Sequence, residues 1–214
     1  MYDRNTMSLW SQVLGKAVAG PLEGTKLEQL PSEVTTWAAW KERHPNTLVL
    51  VKPAGLASVY ADYHRDPEKI GIVGSTSRDL RLPGKALVFG LTFLGQFAAV
   101  PFSVLEKNPV LNTEVFGKTI TVFSPPGENA ATAFERSVDG QVLTFEQLPG
   151  KGLLEIRDAE SGSAWFWESG ECFAGRFKGK RLKRIAGLPV YWAIWARFHP
   201  DTAVIGAGER AVTK

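Results

Sequence analysis

Three imidazoles, His44, His64 and His199, are the side chains of this 214-residue sequence whose charge ordinarily changes between about pH 5 and 8. Two of them share a context: His44 lies in WAAWKERHPNT and His199 in WAIWARFHPDT. Each follows a tryptophan pair and precedes a proline. If the two faced one cleft across a pseudo-twofold axis, they would make an acid–base or metal-assisted hydrolytic site. The plainer reading is that each His caps the end of its own helix, where the dipole favours a donating imidazole, and packs on tryptophan. No His-x-His or His-Glu-x-x-His spacing points to a metal.

The other chemical candidates also have plain alternatives. The seven tryptophans could line an aromatic groove for a carbohydrate or peptide, although Trp at i and i+3 of a short helix usually points inward. Trp167 has Gln12 at its equivalent position and is expected to be the surface aromatic. Lys178, Lys180, Arg181, Lys183 and Arg184 form the one strong basic run. It reads either as a strip for an anionic polymer or as an edge strand kept soluble by its lysines. The low-weight binding candidates are therefore His44, His199, Trp167, Lys180, Arg181 and Arg184. Asp3 and Asp158 occupy matching places and suit a turn or cap role. Cys172 stands alone, so no intrachain disulfide or Cys cluster can form, and a buried inert thiol is expected. No Ser-His-Asp order, nucleophile elbow, phosphate loop or dinucleotide fingerprint is present. No catalytic residue, metal or cofactor is assigned.

The composition sets wide bounds. With 44% hydrophobic residues the chain can bury a core without staples. A net charge of +3 gives a mild preference for anionic partners, and nucleic acid is not the expected one. The 21 Gly and 13 Pro suit a turn-rich, strand-rich chain. No apolar run reaches the length of a membrane-spanning helix, and the residues after Met1 lack the pattern of a secretory signal.

These residues are positioned by an internal duplication. The stretch from Ser8 matches that from Ser163, and the stretch from Trp37 matches that from Trp192; both offsets are 155. Thirteen of the 40 positions from 8 to 47 are identical, mostly Gly, Trp, Pro and His, which have specific backbone or packing roles. Gly15, Gly20 and Gly24 punctuate short extended pieces, and Leu27 to Leu30 reads as a strand. Thr35 or Thr36 can cap a helix over 36–44, which Pro45 ends, and Leu48 to Val51 reads as a buried strand. The second copy repeats these steps, with a helix over 191–198 and a strand over Ala203 to Ile205.

Between the copies, strands are expected over Ala86 to Thr92, Phe97 to Val100, Val110 to Val115 and Lys118 to Phe123. A short helix is expected over 102–106 after Pro101. Asp139-Gly140, between the runs Ala130 to Val138 and Gln141 to Phe145, is a type I′ hairpin signal. Leu153 to Arg157 is one more strand. The expected units are residues 1–51, the C-terminal half of a first repeat; a connector over 52–81; a complete second unit over 82–206; and a tail over 207–214. The first half-unit lacks the strands that precede its twin. The complete unit, a second copy of the chain, or a segment preceding Met1 could cover it, and the last is favoured.

MYDRNTMSLWSQVLGKAVAGPLEGTKLEQLP with TTWAAWKERHPNTLVL resembles the bacterial and archaeal domain-of-unknown-function family 3179 (DUF 3179). FERSVDGQVLTFE, RDAESGSAW and YWAIWARFHPDT resemble its closing segment, so the likeness covers roughly 1–50 and 80–206. Longer members carry a Tyr-Cys-Pro-Leu-Cys motif before a Phe-Asp-Arg hairpin. Here Phe123-Ser124-Pro125-Pro126-Gly127-Glu128 precedes Phe134-Glu135-Arg136, with neither cysteine, so no thiol or metal role carries over. The resemblance implies an often exported, extracytoplasmic protein without an established activity.

The reading is thus a β-rich α+β protein with a duplicated, strand-rich architecture. Its expected role is a non-catalytic binding or scaffold module. The alternatives are a hydrolase-like or metal-assisted enzyme using the repeated His residues, and an anionic-polymer binder through residues 178–184.

Overall fold

A computed structural model describes residues 1–28, 35–51, 63, 65–66, 69–71, 78–93, 95–148 and 155–206. Most of the 52–81 connector, His64, Leu30, Leu153 and the 207–214 tail lie outside the described residues. The first copy supplies the hairpin β1 (Leu9–Ser11) and β2 (Lys16–Ala19), then helix α1 (Trp37–Arg43). Next come β3 (Leu87–Phe93), β4 (Gln96–Pro101), helix α2 (Phe102–Leu105), β5 (Val110–Val115) and β6 (Lys118–Phe123). Four short strands follow: β7 (Thr132–Glu135), β8 (Ser137–Val138), β9 (Gln141–Val142) and β10 (Phe145–Gln147). The second copy spans β11 (Ile156–Asp158), β12 (Ala164–Trp165), β13 (Cys172–Ala174), β14 (Lys183–Tyr191), α3 (Trp192–Phe198) and β15 (Ala203–Val204). The molecule is β-rich α+β.

Seven strands form one sheet in the order β15-β4-β3-β14-β7-β6-β5, with all pairs antiparallel except β15 with β4. Strand alternation sends Phe89, Leu91, Val100, Ile120, Val122, Ala133 and Ile185 to one face, where they meet Phe102 and Leu105 of α2 in a single cluster. The opposite face carries two clusters. At the β3–β4 end, Val88 and Ala99 pack with Trp192, Trp195 and Ala196 of α3. At the β6–β7 end, Phe123 and Phe134 pack with Phe145, Ile156, Trp165, Trp167 and Leu182, under the small sheet β10-β11-β12-β13.

Several local expectations hold, and the structure gives their reasons. Asp139 and Gly140 both take positive φ, 49° and 81°, as a type I′ turn demands, and β8 pairs with β9 around them. Gly90 faces Trp195 so closely that a Cβ there would lie 2.5 Å from the indole ring.

Three expectations fail. Leu48 to Val51 is not a buried strand: it pairs with nothing among the described residues, and Leu48 is 96% and Val51 84% exposed. The twin stretch forms β15 because β4 lies beside it. Leu27 and Glu28 are not strand; Lys26 makes only an isolated bridge to Lys16. Most of the basic run is not strand either: Lys178 lies in a turn, Arg181 makes only an isolated bridge to Glu171, and only Lys183 and Arg184 open β14, where they pair with β7 alone.

Candidate functional site

The duplication extends to the side-chain bonding around the paired carboxylates. In the first copy Trp10 Nε1 donates to Asp3 Oδ2 at 2.9 Å, and Thr6 Oγ1 donates to the same oxygen at 2.7 Å. Thr6 Oγ1 and Ser8 Oγ share a hydrogen bond of 2.7 Å. In the second copy Trp165 Nε1 donates to Asp158 Oδ2 at 2.9 Å, and Ser161 takes the place of Thr6. Gly20 and Gly175 both hold φ +97°, and a Cβ at either would lie within 2.8 Å of Ser8 or Ser163. Both hairpins slip register at the same step, Leu9/Trp10 and Ala164/Trp165. The Trp10 indole and the Thr6 hydroxyl hold the Asp3 carboxyl well below the usual carboxylate range. Both carboxylates are therefore consumed in fixing a turn and orienting an indole, which is positioning rather than acid–base work.

The two helices begin from the same sequence and end in different surroundings. Trp40 Nε1 donates to Thr47 Oγ1, and Trp195 Nε1 donates to Thr202 Oγ1, each at 2.9 Å. Each His backbone N–H donates to the tryptophan carbonyl four residues earlier, closing its helix. Beyond that the copies diverge. Trp192 is fully buried whereas its counterpart Trp37 is 52% exposed. His199 is buried and stacks on Phe97 with ring centroids 3.7 Å apart, with Trp195 at 4.3 Å. His44 is exposed and meets Trp40 at 4.1 Å. The two imidazoles are thus engaged by different partners in different environments.

The copies lean on each other reciprocally. Val13, in the β1–β2 turn, packs against the cluster that contains Trp192 and Trp195. Its counterpart across the 155 offset is Glu168, whose carboxylate lies 3.7 Å from Arg43 of α1. The Arg43 guanidinium also sits over the Trp167 ring at 5.5 Å, and its Nη2 donates to Thr35 Oγ1. Thr35 in turn donates to Glu128 at 2.6 Å, so its hydroxyl anchors the helix to the complete unit. Trp167 is therefore not a surface aromatic: it is buried beneath Arg43, and its indole N–H meets no acceptor among the described residues. Gln12 at the equivalent position gave no hint of this, because the contact spans the two copies.

The basic run is laced to its surroundings. Lys180 pairs with Asp139 at 3.0 Å, Lys183 with Glu135 at 2.6 Å, and Arg181 with Glu171. Arg184 donates to the Glu168 carbonyl at 2.7 Å and lies over Phe134. Cys172 is buried with its Sγ against the Ala174 carbonyl, and burial pushes its thiol up, away from the nucleophilic thiolate. Among the described residues no group of three or more His, Cys, Asp or Glu side chains could hold a metal ion, and no helix is long and apolar enough to cross a membrane.

A family model described as "Protein of unknown function (DUF3179)" matches residues 1–202. The chain belongs to the DUF3179 family. No curated protein and no solved structure matches this DUF3179 chain.

Burial holds the His199 imidazole below its ordinary pKa, so the folded DUF3179 chain keeps it neutral where the unfolded chain would protonate it. Below about pH 6.5 the unfolded state then binds more protons, and stability falls by up to about 1.4 kcal/mol per pH unit until the folded-state pKa is reached. Urea midpoints measured from pH 7.5 down to 5 should show this decline, and His199→Gln should remove it. An unchanged slope in His199→Gln would assign the decline to another group.

Proposed function

We propose that this DUF3179 chain is a non-catalytic binding module that works through its first repeat. One observation carries the reading: the first copy leaves open the surface that its twin buries, from half-exposed Trp37 to the apolar run Leu48–Val51. Exposed apolar patches of this kind, on an otherwise well-packed protein, mark interaction sites. The other candidates support chemistry less well. His199 is sealed among aromatics, His44 stands in solvent, both repeated carboxylates are spent on turns, and Lys180, Arg181 and Lys183 already face carboxylates.

The competing enzyme reading needs His44 and His199 to serve one site. Calorimetric titration of the full chain with zinc separates the two. The binding-module reading expects no saturable site that depends on both histidines. A one-to-one isotherm lost in His44→Ala and in His199→Ala, with both variants still folded by circular dichroism, would replace it with a metal-assisted site.

A further inference from the structure

We infer that the first repeat docks a β-hairpin of another protein chain, one that presents a free edge strand, glycine opposite Trp40 and an aromatic ring opposite His44. This rests on the binding-module reading and names its partner. The template is the twin. In the second copy the same helix-and-strand surface is covered by β3 and β4. Gly90 of β3 lets the Trp195 ring approach to a distance no Cβ would allow. Phe97 of β4 stacks on His199. Ala98 and Ala99 pair in parallel with Ala203 and Val204, and Ile205 N–H donates to the Ala99 carbonyl at 2.9 Å.

Each receiving residue has a first-copy counterpart: Trp40 for Trp195, His44 for His199, and Leu48, Val49 and Leu50 for Ala203, Val204 and Ile205. The matching Trp40–Thr47 and Trp195–Thr202 bonds tether each helix to the start of its following segment in the same way. Trp37, Leu48, Val49, Leu50 and Val51 together expose an area on the order of the ~800 Å² that each partner gives to a standard interface. Strand addition supplies the rest, since the backbone of 48–51 is unpaired among the described residues. A second copy of the chain is a poorer occupant, because its own β3–β4 hairpin is already covered by α3 and β15.

A disulfide-cyclised peptide of residues 86–101, fluorescently labelled and carrying a lysine tag, is the probe. Fluorescence anisotropy should show saturable binding to the full chain. Val49→Asp and Leu50→Asp, at solvent-facing positions that leave the core untouched, should each weaken it at least tenfold. A peptide with Gly90→Leu should not bind. No binding, equal binding to the Asp variants, or equal binding of the Gly90→Leu peptide overturns the hairpin partner. So does sedimentation showing a dimer that Val49→Asp dissolves, which would make a second copy the occupant. A hairpin failure with a blank zinc titration would leave a binding module with a different partner. A histidine-dependent zinc site would remove the module itself.

Discussion

Trp195→Ala is expected to cost about 3–5 kcal/mol, the loss typical of deleting a fully buried indole. Trp195 is completely buried, touches Phe97 and His199, donates to Thr202, and fills the space left by Gly90. Its twin change, Trp40→Ala, removes an indole with the same hydrogen bond but a half-open face, and should cost only about 1–2 kcal/mol. For a chain of this size the larger loss lowers the melting temperature by on the order of 10 °C. Parallel thermal melts of the two variants test the contrast. Equal losses would mean that the first-copy helix is as well covered as the second, and would undercut the open surface on which the functional reading depends.

Gly175→Ala should be among the more damaging of the glycine changes. At φ +97° an alanine is strained, and its methyl group would lie 2.7 Å from Ser163 Cα and 2.6 Å from Ser163 Oγ. That serine cannot yield cheaply, because its hydroxyl accepts from Phe177 N–H and shares a bond with Ser161, which itself donates to Asp158. Backbone strain and overpacking together suggest a cost of about 2–5 kcal/mol. Gly179 provides the control: φ is +83°, but open space surrounds the missing Cβ, so only the left-handed penalty of about 1–2 kcal/mol applies. Urea midpoints with unchanged m-values would report the difference directly. Equal destabilisation would show that Ser163 moves aside and that the Asp158 turn is not rigid.

What could be read before the fold was known follows the range of each interaction. The turns at Asp139-Gly140 and the helices after Pro101 and around the tryptophan pairs depend on residues within a few positions, and they are legible. The equivalence of Asp3 and Asp158 was legible as a matched pair, while its cause, an indole bond seven residues on, was not. Leu48 to Val51 failed as a buried strand because an apolar run states a preference and not a partner; β4 satisfies only the second copy. Trp167 failed for a related reason. Its burial comes from Arg43, far away in the chain, and comparison between the copies cannot reveal a contact made across them. The basic run looked like an unpaired edge, yet its acidic partners come from two other stretches of the sequence, Glu135 and Asp139 in one and Glu171 in another.

The paired contacts of Val13 and Glu168 carry a consequence for how the halves can change. In a symmetric homodimer one residue type must serve both ends of such a contact, because both ends are encoded by the same codon. A fused pair is free of that constraint. Here one end has become greasy, seating valine among tryptophans, and the other has become ionic, holding glutamate against an arginine. Joining the halves in one polypeptide therefore lets the two ends of the contact differ in chemistry while each still holds the other half.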